Sequence, residues 1–230
     1  MVNVDVSACL VGNSVSIRDL LKDIELAALF DAAVLITGEK GVGKTLIARA
    51  IHQRSRRHTA PFTTIDCADG PEALLQSKQN SGTLVIESVG DLDLGTQAAA
   101  VNHLEDQDVR VIAASQEGLY KRVIAGTFRE DLYYRLNVIH VAVPPLRRRR
   151  EDIPTLVQHL LRHQSEDRHS IPDVSPAAME RLVESDWPGN VRQIAEIVAQ
   201  FVARGAVTID AHHLPTDIFE TRRDATEMFG

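Results

Sequence analysis

The run Gly38-Glu39-Lys40-Gly41-Val42-Gly43-Lys44-Thr45 fits the pattern Gly-x-x-x-x-Gly-Lys-Ser/Thr, a spacing suited to holding phosphate. Its glycines let backbone N–H groups wrap around phosphate oxygens, and a helix starting at the end of the run turns its positive pole toward them. Lys44 is placed to reach the β- and γ-phosphates of a nucleotide, and the Thr45 hydroxyl to ligate Mg²⁺. A β-type run at 34–37 precedes the loop and a helix-forming stretch at 45–53 follows it, the context the motif requires. Lys40 and Val42 occupy positions the motif leaves free. The chemistry these residues point to is the binding of a nucleotide with its magnesium.

Other constellations carry less. The nine histidines include the neighbours His212 and His213, which are expected to point to different sides as solvated loop residues, with no ligand spacing around them. The arginines at 147–150 are followed at once by Glu151 and Asp152, so they read as a basic turn at a domain junction rather than a nucleic-acid grip. Cys67 reads as a buried thiol, Cys9 carries no signal, and Trp187 reads as a packing residue for the last helix.

Short β-type runs at 34–37, 62–65, 83–86, 109–113 and 138–143 alternate with helical patterns at 16–30, 45–53, 71–77, 95–104, 117–124 and 130–136. Such alternation predicts an α/β domain over residues 1–145, a mostly parallel five-stranded sheet covered on both faces. Pro144-Pro145 ends it. Only helical patterns follow, at 153–163, 176–185 and 191–204, which predicts a small all-helical domain at 146–215 and a polar tail or linker at 216–230. Ser14 and Ser16 are both available to cap the first helix.

Of the 230 residues, 44% are hydrophobic and 25% charged, which excludes a disordered or fibrous chain. The net charge of −7 argues against a nucleic-acid grip by bulk electrostatics. No apolar stretch approaches bilayer length, and no basic region leads into a long apolar core, so neither a membrane span nor a secretory signal is expected. Two cysteines without a Cys-x-x-Cys pair give no disulfide framework, and the expected location is the reducing cytoplasm.

The chain resembles the AAA+ domain of bacterial enhancer-binding proteins, the NtrC-like activators of σ54 RNA polymerase. The matching stretches are Leu10-Val11-Gly12-Asn13-Ser14, residues 34–52, Pro61-Phe62, Asp66-Cys67-Ala68, Gly82-Thr83-Leu84, Gly90-Asp91-Leu92 and Arg110-Val111-Ile112-Ala113-Ala114. The most specific are Phe128-Arg129-Glu130-Asp131-Leu132-Tyr133-Tyr134-Arg135-Leu136-Asn137 and Trp187-Pro188-Gly189-Asn190-Val191-Arg192. The resemblance implies a P-loop AAA+ domain with a helical lid that binds ATP or ADP with Mg²⁺. It also implies a homo-oligomer, a hexameric or heptameric ring or a dimer, with ATP between subunits. Arg129 and Arg135 match the arginine fingers that reach a neighbour's site, and Arg192 matches the sensor-II arginine of the lid. Val11, Gly12 and Asn13 fall where the family packs against adenine.

The departures bear on catalysis. The family's metal-site strand ends in Asp-Glu, whereas here it reads Leu84-Val85-Ile86-Glu87-Ser88. Glu87 takes the metal-side position and Ser88 stands where the catalytic glutamate belongs. A serine hydroxyl is no base at neutral pH, and loss of a general base costs about 10²–10⁴ in rate. The sensor-I position, normally Asn, is Gln116. Only Lys78-Gln79-Asn80-Ser81 separates Ser77 from Gly82, where the family inserts the Gly-Ala-Phe-Thr-Gly-Ala loop that grips σ54, and the second pore loop is reduced to Glu105-Asp106-Gln107-Asp108. Four residues span roughly 13 Å and form no projecting hairpin.

These features predict a nucleotide-binding regulatory module with weak or no ATP hydrolysis and no σ54 contact. Regulators of this type carry an N-terminal sensing domain and a C-terminal helix-turn-helix, so DNA contact is expected only through a domain outside these residues. A working ATPase using Glu87 as its base, and a scaffold with a vestigial site, are the alternatives. A cyclic dinucleotide as a second ligand stays open.

Overall fold

The structure is a computed structural model that describes residues 10–70, 72–76, 81–105, 108–116, 118–165 and 171–215. The expected tail at 216–230 and most of the two short connections, 77–80 and 106–107, lie outside the described residues. By internal contacts the chain divides into two units that are not contiguous in sequence. Asp19–Glu39 and Lys44–Val143 form a sheet unit, while residues 10–18, Lys40–Gly43 and the described residues from Pro144 onward form a helical unit. Membership of the phosphate loop is thus shared between them.

The sheet unit has five parallel strands in the order β2-β3-β4-β1-β5, namely β1 (Val34–Thr37), β2 (Phe62–Asp66), β3 (Thr83–Glu87), β4 (Arg110–Ser115) and β5 (Ile139–Ala142). Every residue of β1 and β4 is buried, as expected of central parallel strands covered on both faces. Its helices are α2 (Lys44–Arg54), α3 (Glu72–Gln76), α4 (Leu94–Glu105), α5 (Leu119–Ile124) and α6 (Glu130–Leu136), together with most of α1 (Val15–Leu29). Ser14, rather than Ser16, caps α1, its Oγ accepting the Ile17 N–H at 3.2 Å. At the other end the buried Arg110 guanidinium donates to the carbonyl of Ala27, in the last turn of α1, and to that of Ala32 beyond the helix. One core cluster joins Leu35, Leu84, Ile86 and Ala113 to Leu104, Phe128, Leu132 and Leu136.

Strand β4 runs two residues beyond the expected 109–113. The small residues Ala114 and Ser115 fit beside β1, and Ser115 pairs with Thr37. That extension sets the strand ends next to one another: Glu87 opposite Asp66, Ser115 opposite Thr37, and Ala142 opposite Thr37 on the far side.

In the helical unit α7 (Ile153–Gln164), α8 (Pro176–Glu184) and α9 (Asn190–Ala203) bury one apolar stripe each. The expected helices are present, with one short ladder added to them. Asp173–Val174 pairs in parallel with Thr208–Ile209, a two-residue ladder (β6, β7) too short to leave a strand pattern in the sequence. Trp187 is fully buried at a left-handed backbone position (φ 52°), and its Nε1 donates to the Leu182 carbonyl at 2.7 Å. Truncating a buried tryptophan costs about 3–5 kcal/mol. Trp187→Ala is therefore expected to lower the unfolding midpoint of the helical unit strongly, followed by circular dichroism in urea; an unchanged midpoint would contradict a packing role.

The rings of His212 and His213 do not diverge: their centroids lie 4.0 Å apart in the 3₁₀ turn Ala211–His213. That turn is a capping box, in which His213 Nδ1 accepts the Asp210 N–H and steers its ring. Within the basic turn at 147–150, Arg149 is buried and Arg150 pairs with Asp186 at 2.5 Å.

Candidate functional site

Strand β1 delivers the chain to Gly38, and α2 begins at Lys44, so the loop at 38–45 opens directly into a helix N-terminus. In the sheet unit the C-terminal ends of adjacent strands lie together, the place where open α/β sheets bind ligands. Gly38 N–H donates to the Ser115 carbonyl at 3.3 Å and so ties the loop's start to β4. The Lys44 ammonium donates to the Gly38 and Glu39 carbonyls at 2.8 and 2.9 Å, and thereby curls the loop around its own side chain. Thr45 Oγ1 donates to Glu87 Oε1 at 2.6 Å. The two residues assigned from sequence to the metal side are therefore in contact, on α2 and at the end of β3.

Ser88 follows Glu87 in a left-handed conformation, φ 53° and ψ 32°, and its carbonyl accepts the Asp91 N–H at 2.8 Å. A residue with a Cβ is uncommon in that region, and such residues cluster at functional sites. Gln116 is exposed directly after β4. Nothing in the motif announced His140 of β5, whose Nε2 lies 2.8 Å from the Thr37 hydroxyl just before the loop.

Arg129 is the N-cap of α6 and Arg135 lies in its last turn, six residues or about 9 Å apart along the axis. The Arg129 guanidinium forms a two-pronged bond to Asp131, at 3.0 and 2.6 Å. Arg135 lines a cavity of about 300 Å³ with Asp31, Ala33, Val109 and Arg110. These neighbours sit where β1 and β4 begin, at the opposite end of the sheet from the strand ends that carry Gly38 and Glu87.

Cys67 follows β2 and donates its backbone N–H to the Glu87 carbonyl at 3.1 Å. Burial, with Asp66 and Asp91 nearby, pushes its thiol up to about 12, so almost no thiolate exists near neutrality. In a Cys9→Ser background, Cys67 is expected to resist iodoacetamide at pH 8 in the native protein and to react fully in urea. Rapid native labelling would contradict this burial.

Within the helical unit, Asp152 organises the segment that contains Val11, Gly12 and Asn13. Its buried Oδ1 accepts the Asn13 and Ser14 N–H groups at 2.8 and 2.9 Å. Gly12 (φ 136°) packs so closely on this carboxyl that a Cβ would come 2.3 Å from its Cγ. In the sequence Asp152 stands out only as a neighbour of the arginine run, since a partner 139 residues away leaves no local signal. Lys40–Gly43 bonds to the first turn of α9: Asn190 Nδ2 donates to the Lys40 carbonyl and Arg192 N–H to the Gly41 carbonyl. Val42 is fully buried, whereas the Arg192 side chain is exposed.

Among the described residues no helix is long and apolar enough to cross a membrane, and no group of three or more His, Cys, Asp or Glu residues could hold a metal ion.

Residues 11–146 match the family model described as Sigma-54 interaction domain, and residues 147–228 that of the AAA+ ATPase lid domain. The chain is similar to Regulatory protein AtoC of Escherichia coli K12, 38% identical over 253 residues that cover 94% of this chain and 55% of AtoC. It is also similar to Transcriptional regulatory protein ZraR of Escherichia coli K12, 38% identical over 229 residues, covering 84% of this chain and 52% of ZraR. Among solved structures, NtrX from Brucella abortus in complex with ATP superposes with a TM-score of 0.84 at 32% identity, covering 92% of this chain and 55% of NtrX. The chain thus spans about half the length of the relatives it matches.

Proposed function

The chain belongs to the sigma-54 interaction domain family of AAA+ ATPases, and from that premise we propose that it binds ATP or ADP with Mg²⁺ and hydrolyses ATP weakly or not at all. In this reading it is the nucleotide-binding and assembly module of a bacterial transcriptional regulator, and it does not grip σ54. The observation that carries the proposal is the end of β3. Glu87 is engaged by Thr45 on the metal side, and the next residue, where the reacting water needs a base, offers only the Ser88 hydroxyl.

The residues present fit magnesium. The Thr45 hydroxyl and Glu87 carboxylate are hard oxygen donors, and Mg²⁺ takes one or two such groups together with nucleotide phosphates and water. When bound, the ion neutralises charge on those phosphates. Gly38–Gly43 amides and the Lys44 ammonium bind the phosphate chain, Val11, Gly12 and Asn13 pack against the base, and Arg192 contacts the nucleotide from the lid. The ATP complex of NtrX supports nucleotide binding by this fold. The match to AtoC extends over 253 residues, more than the whole 230 of this chain, so AtoC carries residues without counterpart here. Loops shortened as read at 78–81 and 105–108 would leave such an excess.

Arg129 and Arg135 act, in this account, on a neighbour's nucleotide in a homo-oligomer. The position of Arg135 at the far end of its own sheet supports action in trans. Titration with a fluorescent ADP analogue tests the binding claim. Saturable, Mg²⁺-dependent binding below millimolar concentration is expected, and no binding at millimolar nucleotide would overturn it in favour of a vestigial site.

A further inference from the structure

The phosphate loop's inner segment is held by one short turn of the helical unit. Asn190 is fully buried and adopts a left-handed backbone (φ 53°). Its side chain joins two distant segments: Nδ2 donates to the Lys40 carbonyl at 3.0 Å, and Oδ1 accepts the Leu146 N–H at 2.8 Å. Its own N–H donates to the Trp187 carbonyl at 2.8 Å, closing the turn. Two residues on, Arg192 N–H donates to the Gly41 carbonyl at 3.2 Å. Gly41 (φ 80°) lies so close to this turn that a Cβ would come 2.1 Å from the Gly189 carbonyl oxygen.

Peptide planarity turns these ties into a statement about donors. In a trans peptide the C=O of one residue and the N–H of the next point in opposite directions. Fixing the Lys40 and Gly41 carbonyls on Asn190 and Arg192 therefore directs the Gly41 and Val42 N–H groups away from the turn, the orientation a loop needs if its amides are to meet phosphate oxygens. A left-handed backbone alone calls for Asn or Gly at position 190. It does not call for an amide that donates to one segment and accepts from another.

We propose that Asn190 is a positioning residue for phosphate binding: it sets the backbone of Lys40–Gly43 in its binding conformation and transmits occupancy of that loop to the turn that contains Trp187. The inference rests on the nucleotide reading above and adds to it a residue and a route that do not depend on the Arg192 side chain.

Two variants separate this role from simple turn formation. Asn190→Asp keeps an acceptor for the Leu146 N–H but sets a carboxylate oxygen against the Lys40 carbonyl. Asn190→Gly tolerates the left-handed backbone and removes both side-chain bonds. ADP affinity is measured by calorimetry in the presence of Mg²⁺, and the emission of Trp187, the protein's single tryptophan, is followed in the same titrations. In the unmodified protein ADP is expected to change Trp187 emission. Both variants are expected to bind ADP about tenfold more weakly or worse, and to show no emission change at saturating ADP. Parent-like affinity with a parent-like emission response in both variants would overturn the proposal while leaving the nucleotide reading intact. An unmodified protein that binds no ADP would instead overturn the nucleotide reading, and this inference with it.

Discussion

A Lys44→Ala variant binds ADP at least about a hundredfold more weakly than the parent chain, as read by calorimetry with Mg²⁺ present. Two losses combine in it. In the proposed complex the Lys44 ammonium supplies a charge-assisted bond to the phosphates, an interaction worth about 1.5–3 kcal/mol, or roughly one to two powers of ten in affinity. The same ammonium also bonds the Gly38 and Glu39 carbonyls and holds the loop curled before any ligand arrives. Alanine removes both the ligand's partner and the internal tie, so the loop must be ordered at the expense of binding energy. The fold is expected to survive, because Lys44 opens α2 at its N-terminus and the buried residues of that helix, Ile47, Ala48 and Ile51, are untouched. Parent-like ADP affinity in a folded Lys44→Ala protein would remove the loop from the binding site.

Ser88→Glu is expected to raise ATP turnover by about 10²–10⁴, the contribution of a positioned general base. The substitution restores a carboxylate directly after Glu87, at the end of a strand whose other residues are unchanged. Its conformational cost is small, since Ser88 already bears a Cβ at φ 53° and a longer side chain meets the same backbone penalty. Glu87 stays with Thr45 on the metal side and the new carboxylate takes the water side. Under the alternative, in which Glu87 itself is the base, a second carboxylate next to it brings like-charge repulsion and no new function. Turnover would then stay level or fall. The comparison is made against Lys44→Ala in the same background, so that contaminating phosphatase is subtracted from both.

The phosphate loop was legible because its chemistry is local: eight consecutive residues specify the turn, the lysine and the hydroxyl. The sheet was legible because its strands are short, apolar and regularly interrupted by helices, so only ends moved, as when β4 continued through Ala114 and Ser115. The contact between Thr45 and Glu87 could be anticipated once both were assigned to one ion. What escaped has partners far along the chain. Asp152 beneath Gly12, and Asn190 between Lys40 and Leu146, look like ordinary polar residues until the fold brings segments more than a hundred positions apart together. The β6–β7 ladder escaped because two residues show no alternation. The paired rings of His212 and His213 escaped because a capping bond, not the sequence interval, sets their direction. Arg149 escaped in a third way, since a run of four arginines hides the one member that is buried.

The most direct test of the account is phosphate release from Mg-ATP at high protein concentration, where neighbouring chains can bring Arg129 and Arg135 to one another's sites, with Lys44→Ala as the blank. Release indistinguishable from that blank, in a protein that binds ADP, is the predicted result. Clear turnover above the blank would contradict the reading of Ser88 and assign the missing base to another carboxylate, Glu87 first among them.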